Sequence, residues 1–291
     1  MRIEGFKYQK IDIGDIKVNC ATAGSGPALL LLHGFPENHL MWHEIAPELA
    51  KKFSIICPDL RGYGDTDKPA GLPDHSTYSK RTMANDMVKL MDILGHQSFN
   101  IAGHDRGARV THRLCLDHPQ KILKAAILDI VPTHQIYMAT DKQIATDYYH
   151  WFFLIQPFPM PEKLIGNDPK FYINWTLGGW GSNGTDFFNL HALKEYERCF
   201  SSSEAIHAMC EDYRAAATID LEHDEADLTQ NITCPLLVLW GKNGVMEKNY
   251  NVLASWQARA VNVVGQAIDG GHFLVEENNK DCLKAFQSFF E

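Results

Sequence analysis

The sequence predicts an α/β fold: a mostly parallel sheet flanked by helices, with a helical segment inserted after the first half of the sheet. Three observations predict it. Short apolar runs alternate with stretches of helical spacing up to Val131 and again from Pro235 onward, the pattern of parallel strands joined by helices. Between Pro132 and Leu228 that rhythm gives way to dense aromatics, among them Tyr148, Tyr149, Trp151, Phe152, Phe153, Trp175, Phe187 and Phe188, with no convincing strand. The run Phe99 to Ala102 closes on Gly103, His104, Asp105, Arg106, Gly107 before a helical stretch, which reads as a sharp strand-to-helix corner. The expected organisation is a core over residues 1–131 and 229–291, with a helical cap over 132–228.

The elements follow in order. Phe6 to Ile13 and Ile16 to Ala23 alternate and meet at Gly14 and Asp15, which predicts a hairpin at the antiparallel edge. Ala28 to Leu32 is a continuous apolar run, as expected of a strand buried on both faces. It ends in His33, Gly34, Phe35, Pro36. Phe53 to Cys57 is a further strand, and Tyr78 to Leu94 is a helix, with Met83, Met87, Leu90, Met91 and Leu94 on one face and Gly95 as its stop. After the corner comes a helix over Ala108 to Leu116. Lys124 to Ile130 predicts the next strand, bearing Asp129 at its end. Pro235 to Trp240 and Ala260 to Val264 complete the sheet, and an amphipathic helix runs to Phe290 after Asp269, Gly270, Gly271, His272.

Composition narrows the classes. The 291 residues are 45% hydrophobic and 22% charged, with 27 Lys and Arg against 36 Asp and Glu for a net charge of −9. That balance argues against nucleic acid or an anionic membrane surface as partner, while arginines placed locally still allow a small anionic substrate. No run approaches membrane-spanning length, and charges of both signs precede the first apolar stretch, so no secretory leader is expected. Cys20, Cys57, Cys115, Cys199, Cys210, Cys234 and Cys282 contain no Cys-x-x-Cys pair. They predict reduced thiols in a cytoplasmic protein, without a disulfide framework or a metal site.

The chemistry gathers at the corner. Glycines two places either side of Asp105 mark a nucleophile elbow, where a Cβ would collide with the neighbouring strand or helix. Serine there would suggest an esterase. A carboxylate instead attacks an sp³ carbon, expels a leaving group, and is regenerated when water hydrolyses the enzyme ester. His272, in a Gly-rich loop after the last strand, is the candidate base. Asp129 is the candidate acid that orients it, because the loop after Trp240 offers no carboxylate before Glu247. The backbone N–H groups of Phe35 and Arg106 are the expected oxyanion donors. Arg109 falls one helical turn beyond Asp105, with Arg106 adjacent, so two guanidiniums flank the nucleophile. They read as a clamp for a substrate carboxylate, the alternative being that one neutralises Asp105.

Gly103, His104, Asp105, Arg106, Gly107, Ala108, Arg109, together with His33, Gly34, Phe35, Pro36, closely resemble the fluoroacetate (haloacetate) dehalogenases of the α/β-hydrolase superfamily. The resemblance spans essentially the whole chain. It implies an α/β-hydrolase fold with an inserted cap and a weak tendency to homodimers. It implies a hydrolase releasing halide from a short 2-haloacid, fluoroacetate giving glycolate, with no cofactor. It also implies that His150, Trp151 and Tyr213 bind the departing halide, and His104 and Trp180 are candidates for lining the pocket. Haloalkane dehalogenases and epoxide hydrolases tend to carry Trp directly after the nucleophile, where this chain has Arg106. An epoxide hydrolase using the same three residues, with Tyr213 as acid, is the rival reading. A ligand receptor on this fold that has lost turnover is the third, and release of halide or of diol separates them.

Overall fold

The run Ala28–Leu32 is the strand at which two hydrophobic cores meet. Leu30 and Leu32 belong to one core and Leu29 and Leu31 to the other, because successive side chains of a strand point to opposite faces. The same alternation repeats in Ile101 and Ala102, in Ile127 and Leu128, and in Val238 and Leu239. A sheet buried on both faces needs apolar residues at every position, which explains the continuous runs.

The computed structural model describes residues 1–181 and 184–291. Its strands are β1 (Lys7–Asp12), β2 (Lys17–Ala23), β3 (Ala28–Leu32), β4 (Ser54–Pro58), β5 (Phe99–His104), β6 (Ile122–Leu128), β7 (Leu236–Gly241) and β8 (Val263–Ile268). They form one sheet in the order β1-β2-β4-β3-β5-β6-β7-β8. β1 and β2 pair antiparallel, β2 pairs antiparallel with β4, and all later pairs are parallel. This is the expected α/β class with its hairpin at the edge. Helices Lys80–Ile93 and Asp105–Asp117 place Met83, Leu90, Val110 and Leu114 in one core, and helix Asn279–Phe290 places Phe286 and Phe290 in the other. Truncating a buried leucine such as Leu30 to alanine would cost about 2–5 kcal/mol.

Of the boundaries that differ from the expected ones, three bear on the sheet edge and the site. The last strand is Val263–Ile268, and Ala260 makes only an isolated bridge with Ile232. β8 is an edge strand with Val264, Gln266 and Ala267 exposed, so an apolar run does not mark it. The nucleophile helix begins at Asp105, three residues before the expected start, because the elbow residues form its first turn. β6 begins at Ile122 and ends at Leu128, leaving Asp129 just beyond it. Between β6 and β7 the described residues carry helices and no strand, from Thr133–Met138 to Ile219–Ala226. Trp151, Leu177 and Tyr213 of this insertion are buried in the same core as β5 and helix Asp105–Asp117.

Candidate active site

The sheet order gathers the chemistry, because β3 and β6 are the neighbours of β5. Phe35 follows β3, Asp105 follows β5, and Asp129 follows β6, so all three leave the carboxyl ends of adjacent parallel strands, where open α/β sheets bind ligands. His272 comes from the loop after β8 and must reach back past β7. Gly241 at the end of β7 permits this, since a Cβ there would run into the carbonyl of Gly271.

The elbow is forced by contact. A Cβ on Gly103 would meet the carbonyl of Gly107, and a Cβ on Gly107 would meet the carbonyl of His33. Asp105 itself sits at φ 45°, a left-handed conformation that a non-glycine residue adopts only under local constraint. Its Oδ1 accepts the N–H of Phe35 at 3.0 Å. That peptide is itself pinned. Leu60 N–H donates to Nε2 of His33 at 2.9 Å, so the His33 proton is on Nδ1, which donates to the carbonyl of Gly34 at 2.9 Å. Gly34 C=O and Phe35 N–H belong to one planar unit and point in opposite directions, so holding the first aims the second. Burial pushes the His33 imidazole down to about 4, keeping it neutral. Among the described residues the second expected donor, the N–H of Arg106, makes no hydrogen bond to Asp105.

His272 stands between two carboxylates. Its Nδ1 donates to Oδ2 of Asp129 at 2.6 Å, and Nε2 faces Oδ2 of Asp105 at 3.9 Å, too far for a hydrogen bond. Asp129, also at positive φ, is held by the N–H of Gly241 on Oδ1 at 2.9 Å. Burial pushes the Asp105 carboxyl up, but the charges of His272, Arg106, Arg109 and His104 outweigh it and hold the group below the ordinary carboxylate range. His104 lies behind this assembly. Its Nε2 donates to the carbonyl of His272 at 2.8 Å and Nδ1 lies 3.3 Å from Oε2 of Glu37, so both ring nitrogens face protein groups. Glu37 and Glu276 form a buried carboxyl pair, and the Tyr196 hydroxyl donates to Oε1 of Glu276 at 2.9 Å.

The two arginines, equivalent on paper, differ in space. Arg109 uses Nη1 on the carbonyl of Val131 (3.1 Å) and the hydroxyl of Thr133 (2.9 Å), and it has no carboxylate within ion-pair distance among the described residues. Arg106 is locked to Asp212: Nε to Oδ2 at 2.9 Å, Nη2 to Oδ1 at 2.8 Å, and Nη2 to the backbone carbonyl at 2.8 Å. Among the described residues each keeps a buried N–H group without a partner, Nη1 of Arg106 and Nε of Arg109. Their guanidiniums lie over aromatic rings, Arg106 at 4.2 Å from Tyr213 and Arg109 at 4.6 Å from Trp151.

The insertion supplies the remaining groups. Nδ1 of His150, Nε1 of Trp151 and the hydroxyl of Tyr213 are all buried and unpartnered among the described residues. Their rings are neighbours, with Tyr213 5.5 Å from His150 and 6.1 Å from Trp151. Burial pushes the His150 imidazole well down, so it is neutral, and Nδ1 can donate in the tautomer that carries its proton there. Trp180 packs 4.1 Å from His150 and 5.7 Å from His272, and its carbonyl accepts the His272 N–H. A buried donor left unmade is expensive. Four such donors, with His150 Nδ1 beside them, gather in one place and can take up an anionic guest.

Sequence reasoning missed Asp212, which pairs with Arg106, its further partners Tyr63 and Lys80, and the Glu37 and Glu276 pair. Only the position of Asp212 beside Tyr213 hinted at a role.

The family described as alpha/beta hydrolase fold matches residues 27–279. The chain is 46% identical to a fluoroacetate dehalogenase of Burkholderia sp, over 98% of this chain and 94% of that one. It is 31% identical to a soluble epoxide hydrolase of Corynebacterium sp. (strain C12), over 96% and 95%. The crystal structure of a protein from Nostoc sp PCC 7120, described as an alpha/beta hydrolase, superposes with a TM-score of 0.98 at 52% identity, covering 99% of both chains.

Proposed function

The chain belongs to the α/β-hydrolase superfamily and, within it, to the fluoroacetate dehalogenase family, and from that premise we propose that it hydrolyses the carbon–halogen bond of short 2-haloacids, fluoroacetate foremost. The observation that carries this reading is the elbow carboxylate of Asp105 set among two buried guanidiniums and three unpartnered donors. In it, residues 132–228 act as a cap over the catalytic core.

The substrate carboxylate is held by Nη1 of Arg106 and Nε of Arg109. Asp105 attacks the halogen-bearing carbon through Oδ2, forming a C–O bond as the C–F bond breaks, and fluoride leaves with the bonding pair. Fluoride is small and strongly hydrated, so donors must replace its water. His150, Trp151 and Tyr213 do so, and hydrogen bonds to a charged partner contribute about 1.5–3 kcal/mol each. Oδ1 then becomes the carbonyl oxygen of the ester, already facing the Phe35 N–H. Water enters beside Nε2 of His272 and gives it a proton while its oxygen attacks Cγ of Asp105. Asp129 stabilises the imidazolium; as the tetrahedral intermediate collapses, the imidazolium returns its proton to the departing glycolate oxygen, and the new carboxyl of Asp105 loses its proton to solvent, restoring the carboxylate.

The epoxide hydrolase reading draws on the 31% relative and on the free hydroxyl of Tyr213. It leaves the Arg109 cation, which has no carboxylate partner among the described residues, beside a neutral substrate, which is why it ranks second. Fluoride-selective detection across fluoro-, chloro- and bromoacetate and a panel of epoxides tests both. Halide release from haloacetates is expected, and diol formation without halide release would overturn the proposal.

A further inference from the structure

Asp212 is the most heavily engaged carboxylate beside the site. Besides the Nε and Nη2 edge of Arg106 it accepts the Tyr63 hydroxyl at 2.6 Å, and Lys80 pairs with it as well. Lys80 also reaches Asp220, through Nζ at 3.3 Å and through its backbone N–H at 2.8 Å. These residues come from the loop after β4, from helices Lys80–Ile93 and Asp105–Asp117, and from helices Ser203–Ala217 and Ile219–Ala226 of the insertion. Two cations thus face two anions, and Arg106 reaches the site already balanced. Arg109 does not.

We propose that Asp212 is the positioning residue of the substrate-carboxylate site: it fixes the plane of Arg106 so that Nη1 remains, correctly aimed, for the substrate carboxylate. A guanidinium is planar, and a bidentate pair on Nε and Nη2 fixes that plane. Tyr213, the next residue of the same helix, covers the guanidinium face. One dipeptide of the insertion, Asp212 and Tyr213, therefore sets the carboxylate donor of the nucleophile helix and presents a halide donor of its own. Arg106 without Asp212 would be a second uncompensated cation one residue from the nucleophile, free to turn.

This inference rests on the haloacid reading, and a double-mutant cycle on the full chain tests both. kcat/KM for chloroacetate and for uncharged chloroacetamide is measured in wild type, Asp212→Asn, Arg106→Leu and the double variant. Asp212→Asn is expected to lower kcat/KM for chloroacetate by about a hundredfold, and to add less than about threefold once Arg106 is gone. The preference for chloroacetate over chloroacetamide should fall in Asp212→Asn, a change that general loosening of the fold would not produce. Where Asp212→Asn shows no cooperative melting, Tyr63→Phe replaces it, removing one donor while keeping both charges, with about a tenfold loss that vanishes in Arg106→Leu. Effects that multiply would overturn the positioning role while the haloacid reading stands. A wild type that releases no chloride from chloroacetate would overturn both.

Discussion

The backbone N–H of Phe35 donates to Oδ1 of Asp105 at 3.0 Å, which makes the two oxygens of the nucleophile unequal before any substrate arrives. Oδ1 is tied to the strand β3 loop, and Oδ2 is left facing Nε2 of His272 at 3.9 Å. A carboxylate that both attacks carbon and is later cleaved at Cγ needs this division: one oxygen to bond carbon, the other to take negative charge.

The division predicts where oxygen from water goes. In a single turnover in heavy-oxygen water, label is expected in the Asp105 side chain, not in the first product molecule. His272→Asn should allow attack and block hydrolysis, so the ester accumulates on Asp105 and is seen by mass spectrometry. Label confined to the first product would sink the covalent scheme.

Arg109 has an unpartnered Nε and no carboxylate partner within ion-pair distance among the described residues. Arg109→Leu is expected to reduce kcat/KM on chloroacetate by about a hundredfold or more, and on uncharged chloroacetamide by less than about tenfold. Equal losses would show that the arginine supports the nucleophile or the fold.

Trp151→Phe and Tyr213→Phe each keep an aromatic ring and delete one donor that is buried and unpartnered. Each should slow fluoride release by about ten- to a hundredfold, in line with one hydrogen bond to an anion. Chloroacetate turnover should fall less, because chloride is the better leaving group and needs less help. Equal losses on both substrates would make these residues packing or general halide ligands.

Burial, with the charges of Asp105 and Glu277 added, pushes the Glu37 carboxyl up to about 7, against a hydrogen bond with Glu276 that lowers it. In the unfolded chain it ionises in the ordinary range near 4.5, so between those values the unfolded state has released a proton that the folded state keeps. Stability from this group is therefore full at low pH and declines as pH rises through that window. Glu37→Gln should flatten the fall in melting temperature between pH 5 and 7. Parallel curves for variant and wild type would refute the assignment.

Much of this protein was legible in the chain because the responsible interactions are local. The glycines around Asp105 and the alternation of Leu29 to Leu32 between two cores act within a few residues. The places of Asp105 and Asp129 could likewise be read from the apolar runs they follow, and that of His272 from the Gly-rich loop around it. Tertiary structure alone decided the rest. β8 escaped its boundaries because an edge strand needs no apolar run on its open face. The two arginines, one turn apart on one helix, became different groups because Asp212 lies 106 positions from Arg106. A charge pair over that separation leaves no periodicity, and it forms only where the insertion packs against the nucleophile helix. Glu37 and Glu276 are unremarkable acids in sequence; folding puts them side by side in the dark of the core, where two carboxylates cannot both ionise.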